Sequence, residues 1–191
     1  MIGETTGAMR RFFVAAGAAS LLATGAAWAD GATPSHGISV FGDLKYPPGF
    51  KHFEYVNPDA PKGGAITVWG LDTFETLNPF ILKGRKEAWN SLIFDTLMTR
   101  AADEPDALYP LVANGAEIAA DRGSVAFTID PRARFHDGSR ITAEDVAFTF
   151  ETLIKKGHPS YRINFRDVAK AEVLGPARVR FVFKPGLHRD L

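Results

Sequence analysis

The chain has 191 residues, 22 Lys+Arg against 22 Asp+Glu, and no cysteine. That length fits one domain or part of a larger one. Neutrality without a run of like charge removes the electrostatic case for a nucleic-acid or membrane-surface protein, and the lack of cysteine excludes a disulfide framework.

Residues 1–29 read as a secretory signal peptide. Arg10-Arg11 precede an apolar, small-residue run over 12–23, and Ala27-Trp28-Ala29 closes it as an A-x-A cleavage site. The run is shorter than the roughly 20 residues a membrane span needs. Cleavage is expected before Asp30, with Met1 or Met9 as the start. Sec export is the expected route, although Arg10-Arg11 followed by Phe12-Phe13 also has a twin-arginine look. A bacterial lipoprotein carries its lipid on a cysteine after the cleavage site. With none available, residues 30–191 are expected to be released as a diffusible periplasmic or extracellular protein.

Residues 36–64 (HGISVFGDLKYPPGFKHFEYVNPDAPKGG) are rich in aromatics, proline and glycine. Each proline pushes its predecessor out of the helical region, so an irregular segment is expected, pinned to a surface by its rings. Gly63-Gly64 opens a predicted strand over 65–69, with Ile66 and Val68 on one face. Trp89, Leu92, Ile93 and Leu97 recur at helical spacing and predict a helix over 86–99. Residues 103–110 read as loop. Strands are predicted over 116–119 and 125–130, joined by the turn sequence Asp121-Arg122-Gly123, and again over 168–174 and 178–183 around Gly175-Pro176. Strands and helices mix without a regular βαβ rhythm, so the fold class is mixed α+β or irregular α/β.

Residues 134–150, RFHDGSRITAEDVAFTF, place a histidine, three carboxylates and hydroxyls close together. A catalytic reading, a secreted hydrolase using His136 and Asp137, competes with a structural one. Asp137-Gly138 is a turn dipeptide. Thr142 with Asp145 has the form of a short-armed capping box, and Glu144 and Asp145 suit the positive end of a helix dipole. Val146, Phe150, Leu153 and Ile154 supply an apolar stripe, and Lys155-Lys156-Gly157 is a helix stop. The five histidines (His36, His52, His136, His158, His188) show no metal-ligand spacing, and no G-x-S-x-G nucleophile motif occurs. The structural reading is preferred, and no catalytic residue, metal or cofactor is assigned.

Phe135-His-Asp-Gly138 followed by Ile141-Thr-Ala-Glu-Asp-Val146 and Phe150 resembles the F-x-D-G-x-x-[LI]-T-A-E-D-V-x-F signature of family 5 solute-binding proteins. Gly63-Gly64-Ala-Ile-Thr-Val68 and Thr76-Leu-Asn-Pro-Phe80 resemble that family's first strand and the loop after it. The stretches 36–46 and 50–64 are similar to its Yej-type branch, associated with oligopeptides and microcin-like peptides. The resemblance implies part of lobe I of a type II periplasmic binding protein fold, with its extra subdomain. It also implies a monomeric receptor that needs no cofactor and delivers peptides to an ABC permease. Phe135, Asp137, Gly138, Thr142, Glu144, Asp145 and Val146 would be a structural signature. Arg85, Lys86 and Glu87, at the family position bordering the cleft, are the candidate ligand contacts. Family members are much longer, so the chain is expected to be an N-terminal portion lacking the second lobe, and a functionless truncated product is the further alternative.

Overall fold

The computed structural model describes residues 32–70 and 73–186. The proposed signal peptide lies outside the described residues. Among the described residues, two antiparallel sheets and two α-helices carry the fold. The larger sheet has five strands: β1 (Thr33–Ser35), β5 (Ala113–Ile118), β6 (Ser124–Ile129), β7 (Val168–Gly175) and β8 (Arg178–Phe183), ordered β1-β5-β6-β8-β7. The smaller is a three-stranded sheet ordered β2-β4-β3, from β2 (Ile38–Ser39), β3 (Met98–Ala101) and β4 (Glu104–Pro110).

Alternation decides the faces of the larger sheet. Val125 pairs with Phe181 and Phe127 with Val179, so these residues share one side. Helix α1 (Ala143–Lys156) packs on that side, with the Phe150 ring 5.5 Å from Phe181 and 5.6 Å from Phe165. The opposite side carries a cross-strand row, Glu117 to Ala126 to Arg180 to Glu172. There Arg180 is paired with Glu172, and Arg178 reaches diagonally to Glu117. Apolar burial beneath the helix and charge pairing on the far side fix the register, because a one-residue slip would exchange them.

Helix α1 begins as its sequence predicts. Thr142 Oγ1 accepts from the Asp145 amide at 3.3 Å and Asp145 Oδ2 accepts from the Thr142 amide at 2.8 Å, a reciprocal cap. It ends at Gly157, which has φ −75° and needs no left-handed backbone. Glycine is required there by contact instead: a Cβ would lie 2.6 Å from the Leu153 carbonyl oxygen. Helix α2 (Pro159–Asn164) follows directly, capped by the His158 ring with proline in its first turn.

The aromatic segment near the N-terminus is pinned by its rings. Tyr46, Tyr109, Ala101 and Ala107 form a buried cluster joined by Leu44, Phe50 and Phe53. Two phenols wire it together. Tyr109 Oη donates to Glu104 and accepts from the Tyr46 amide, while Tyr46 Oη donates to Asp103 and accepts from the Glu54 amide. Lys45 sits between Asp103 and Glu54 at 2.6 and 2.7 Å, which raises its pKa, and it holds the Asp103 carboxyl below its usual range together with the Tyr46 hydroxyl.

Three expectations are corrected. Residues 65–69 are not a strand; Ile66 and Trp69 are 86% and 77% exposed, and none of the described strands pairs with them. Strand geometry needs a neighbouring ladder to satisfy its amides. Residues 86–99 contain only a 3₁₀ turn (Asn90–Leu92) before the chain extends into β3. A helix of that length depends on burying its apolar stripe, and here Leu92 remains 76% exposed. Residues 104–110, within the 103–110 stretch expected as loop, form the central strand of the small sheet. Ala107 and Tyr109 are buried and Pro110 stands at its end.

Candidate functional site

The predicted contacts lie on a loop whose two ends pair with each other. Glu75 and Thr76 both donate their amides to the Arg85 carbonyl, at 2.8 and 3.1 Å, and the Glu87 amide donates to the Thr76 carbonyl. Thr76 and Lys86 form a parallel bridge, and Glu75 Oε2 accepts from the Arg85 amide at 2.8 Å. Inside this ring, Thr76 Oγ1 accepts from the Asn78 amide and Asn78 Oδ1 from the Phe80 amide, two side-chain turns that shape Leu77-Asn78-Pro79.

A long-range bond docks the loop. The His158 amide donates to the Phe80 carbonyl at 2.8 Å, and the Phe80 ring packs edge-on against Phe94 at 4.9 Å and near Tyr161 at 6.3 Å. The loop therefore faces the corner between α1 and α2. An open depression of about 390 Å³ lies between them. Its loop wall comprises Pro79, Ile81, Leu82, Gly84, Arg85 and Lys86. His158, Ser160 and Tyr161 form the other wall.

Arg85 and Lys86 thus line one concavity, and Glu87 does not. The Glu87 carboxylate turns along the chain and accepts from the Trp89 amide at 2.7 Å. On the facing wall, His158 Nδ1 accepts from the Ser160 amide at 3.2 Å and lies 2.8 Å from Ser160 Oγ. An Nδ1 that accepts leaves the ring proton of neutral imidazole on Nε2, as a donor. Chemically the depression offers cations and N–H or O–H donors beside an apolar patch. Sequence reading passed over His158, Ser160 and Tyr161; the His-Pro-Ser order of a capped helix start was the one local signal.

The 134–150 cluster has a different character. Arg134 and Arg140 form an isolated bridge, closed by the Phe135 amide donating to the Ser139 carbonyl and the Gly138 amide to the Phe135 carbonyl. Gly138 has φ +87°, which favours glycine. Asp137 accepts from the Ser139 hydroxyl at 2.6 Å and amide at 2.9 Å, and these bonds lower its pKa. Its carboxylate is engaged in shaping the turn, while Thr142 and Asp145 cap the helix and Phe150 faces the sheet side. Among the described residues, no three His, Asp or Glu side chains converge as metal ligands would, and no helix is long and apolar enough to cross a membrane.

Comparison with known proteins gives consistent relatives. Residues 107–186 match the family described as bacterial extracellular solute-binding proteins, family 5 Middle. The chain is 42% identical over 179 residues to the peptidoglycan-binding protein YepA of Agrobacterium fabrum, covering 90% of this chain and 29% of that protein. It is 41% identical over 155 residues to the probable peptide-binding protein YejA of the same organism, covering 81% of this chain and 25% of that one. Among solved structures it is similar to NikA from Brucella suis in complex with Fe(III)-EDTA, with TM-score 0.49 and 24% identity, covering 56% of this chain and 22% of that chain. The chain therefore spans less than a third of the length of these relatives. On this evidence it belongs to family 5 of the bacterial extracellular solute-binding proteins, in the Yej-type branch.

Proposed function

We propose that the chain serves in a periplasmic receptor of an ABC importer that captures oligopeptides and hands them to a membrane permease. The observation that carries this reading is the pair of relatives, one named peptidoglycan-binding and one probable peptide-binding, at 42% and 41% identity over most of this chain. A peptide held largely by its backbone, with side chains in watery pockets, explains how such a receptor takes many sequences. No covalent chemistry on the ligand is involved, and no cofactor is required. Residues 1–29 act as the cleavable export signal, and the released protein works as a monomer. Arg85 and Lys86 meet the ligand from the loop, with Glu87 beside them at its base.

Two measurements test the reading. Calorimetric titration with di-, tri- and tetrapeptides should give saturable heat, whereas free amino acids should give none. Fusion of residues 1–29 to a reporter active only outside the cytoplasm should yield activity. Absence of binding to any peptide length would overturn the peptide assignment. A silent reporter fusion would overturn export.

A further inference from the structure

We infer that the hairpin over residues 133–141 binds a phosphoryl group between Arg134 and Arg140. This site lies on a different element from the 79–86 depression, and it stands whether or not the chain captures peptides.

Backbone geometry puts the two cations side by side. The Phe135 amide donates to the Ser139 carbonyl at 2.9 Å, and the Ile141 amide to the Ala133 carbonyl at 3.4 Å. Arg134 and Arg140 are the antiparallel partners between these two bonds. They are therefore a non-hydrogen-bonded pair, the kind whose Cα atoms approach to about 4.5 Å and whose side chains leave on one face. Like charges directly opposite at that spacing repel. Every residue from Arg134 to Arg140 is exposed, and Gly138 at φ +87° turns the chain between them.

The acids near this pair in the chain are committed elsewhere. Asp130 pairs with Arg132 at 2.7 Å. Asp137 accepts from the Ser139 hydroxyl and amide, and Asp145 accepts from the Thr142 amide in the α1 cap. Glu144, exposed in the first turn of α1, forms no ion pair with Arg134 or Arg140 among the described contacts. Arg134 is already ordered, because its Nη1 donates to the Pro131 and Ala133 carbonyls at 2.9 and 3.0 Å. Less side-chain freedom is then lost when an anion arrives. A carboxylate is filled by one guanidinium fork. A phosphate monoester carries about two charges and further acceptor oxygens, so it can accept from both forks and cancel their repulsion.

The test titrates the whole chain with inorganic phosphate, acetate and tetraglutamate by calorimetry at fixed ionic strength. It repeats the phosphate titration on Arg134→Gln/Arg140→Gln and on Arg132→Gln. Cosedimentation with phosphatidylcholine vesicles, with and without phosphatidic acid, supplies the lipid arm. Phosphate is expected to bind the unmodified chain at least about tenfold more tightly than acetate, and the double variant at least about tenfold more weakly. Arg132→Gln removes a cation already paired with Asp130, so its phosphate affinity should stay within about twofold. Binding of free phosphate alone assigns the group to a soluble source. Vesicle binding that needs phosphatidic acid and is lost in the double variant assigns it to a lipid headgroup. Acetate or tetraglutamate binding as tightly as phosphate would overturn the phosphoryl assignment. Phosphate affinity that survives in the double variant, or binding of neither phosphate nor phosphatidic acid vesicles, would overturn the site. The comparison of anions on the unmodified chain does not depend on a variant folding.

Discussion

Removing the hydroxyl of Tyr109 tests how the N-terminal aromatic segment is held. Tyr109 is fully buried, and its oxygen serves two partners, donating to Glu104 and accepting from the Tyr46 amide at 3.1 Å. Tyr109→Phe keeps the ring that packs against Tyr46, Phe50 and Phe53, so no large cavity opens. What is lost is a hydrogen bond to a charged acceptor, about 1.5–3 kcal/mol, and the partner of a buried amide, about 1–3 kcal/mol. Glu104 keeps its second bond, from the Lys45 amide at 3.0 Å, which limits the damage on that side. A net destabilisation of about 2–4 kcal/mol follows. With a urea slope of about 2 kcal/mol/M, the unfolding midpoint should fall by about 1–2 M at unchanged slope. The same variant should alter the alkaline limb. Burial, and then the bond to Glu104, raise the Tyr109 pKa, so neutral Tyr109 contributes stability that is fully present below about 10, the ordinary tyrosine value, and lost as pH rises through the higher folded value. Tyr109→Phe should flatten that loss. A midpoint shift under about 0.3 M, or an alkaline limb unchanged by the substitution, would refute the clamp.

Two further outcomes are expected. Gly157→Ala should destabilise the chain by about 1–3 kcal/mol, since its Cβ would meet the Leu153 carbonyl oxygen at 2.6 Å and the Tyr161 ring at 3.1 Å; a change within 0.3 kcal/mol of zero in urea unfolding would contradict the close approach. Acidification should weaken the fold. Asp103, Glu172 and Asp130 are lowered chiefly by hydrogen bonds from Lys45, Lys170 and Arg132 respectively, and Asp137 by those from Ser139. A depressed carboxylate contributes stability present above its unfolded value, near 4, and lost as pH falls through the lower folded value. Thermal midpoints should therefore hold from pH 7 to about 5 and fall below about 4, whereas a flat profile down to pH 2.5 would remove these pairs from the account.

The elements legible in the sequence are those whose signals are local. Thr142 with Asp145, the Asp137-Gly138 turn and Lys155-Lys156-Gly157 each need only neighbours within a few residues, and α1 runs between them as expected. Strand β8 has its predicted bounds for the same reason, with Gly175-Pro176 before it and Pro185-Gly186 after. Where a segment depends on a distant partner, pattern alone misleads. The alternation in 65–69 and the helical stripe in 86–99 are sound amphipathic signals, but each describes a face that must be covered, and Ile66, Val68 and Leu92 are left exposed. Strand β4 shows the converse: expected as loop, it is held as a strand by pairing on both sides, with β2 and β3.

The candidate site divides along the same line. Arg85 and Lys86 were named by the resemblance, at the family position bordering the cleft. His158 was not legible as their counterpart, because nothing within its own helix start points 70-odd residues back along the chain. Among the described contacts the link includes the His158 amide donating to the Phe80 carbonyl, with the Phe80 and Tyr161 rings 6.3 Å apart. Such a contact has no sequence period: Phe80 takes part through its backbone oxygen, which every residue possesses. A concave site built from one loop and one helix corner is thus readable from sequence only in halves, and the geometry that joins the halves is what gives the cations a facing donor.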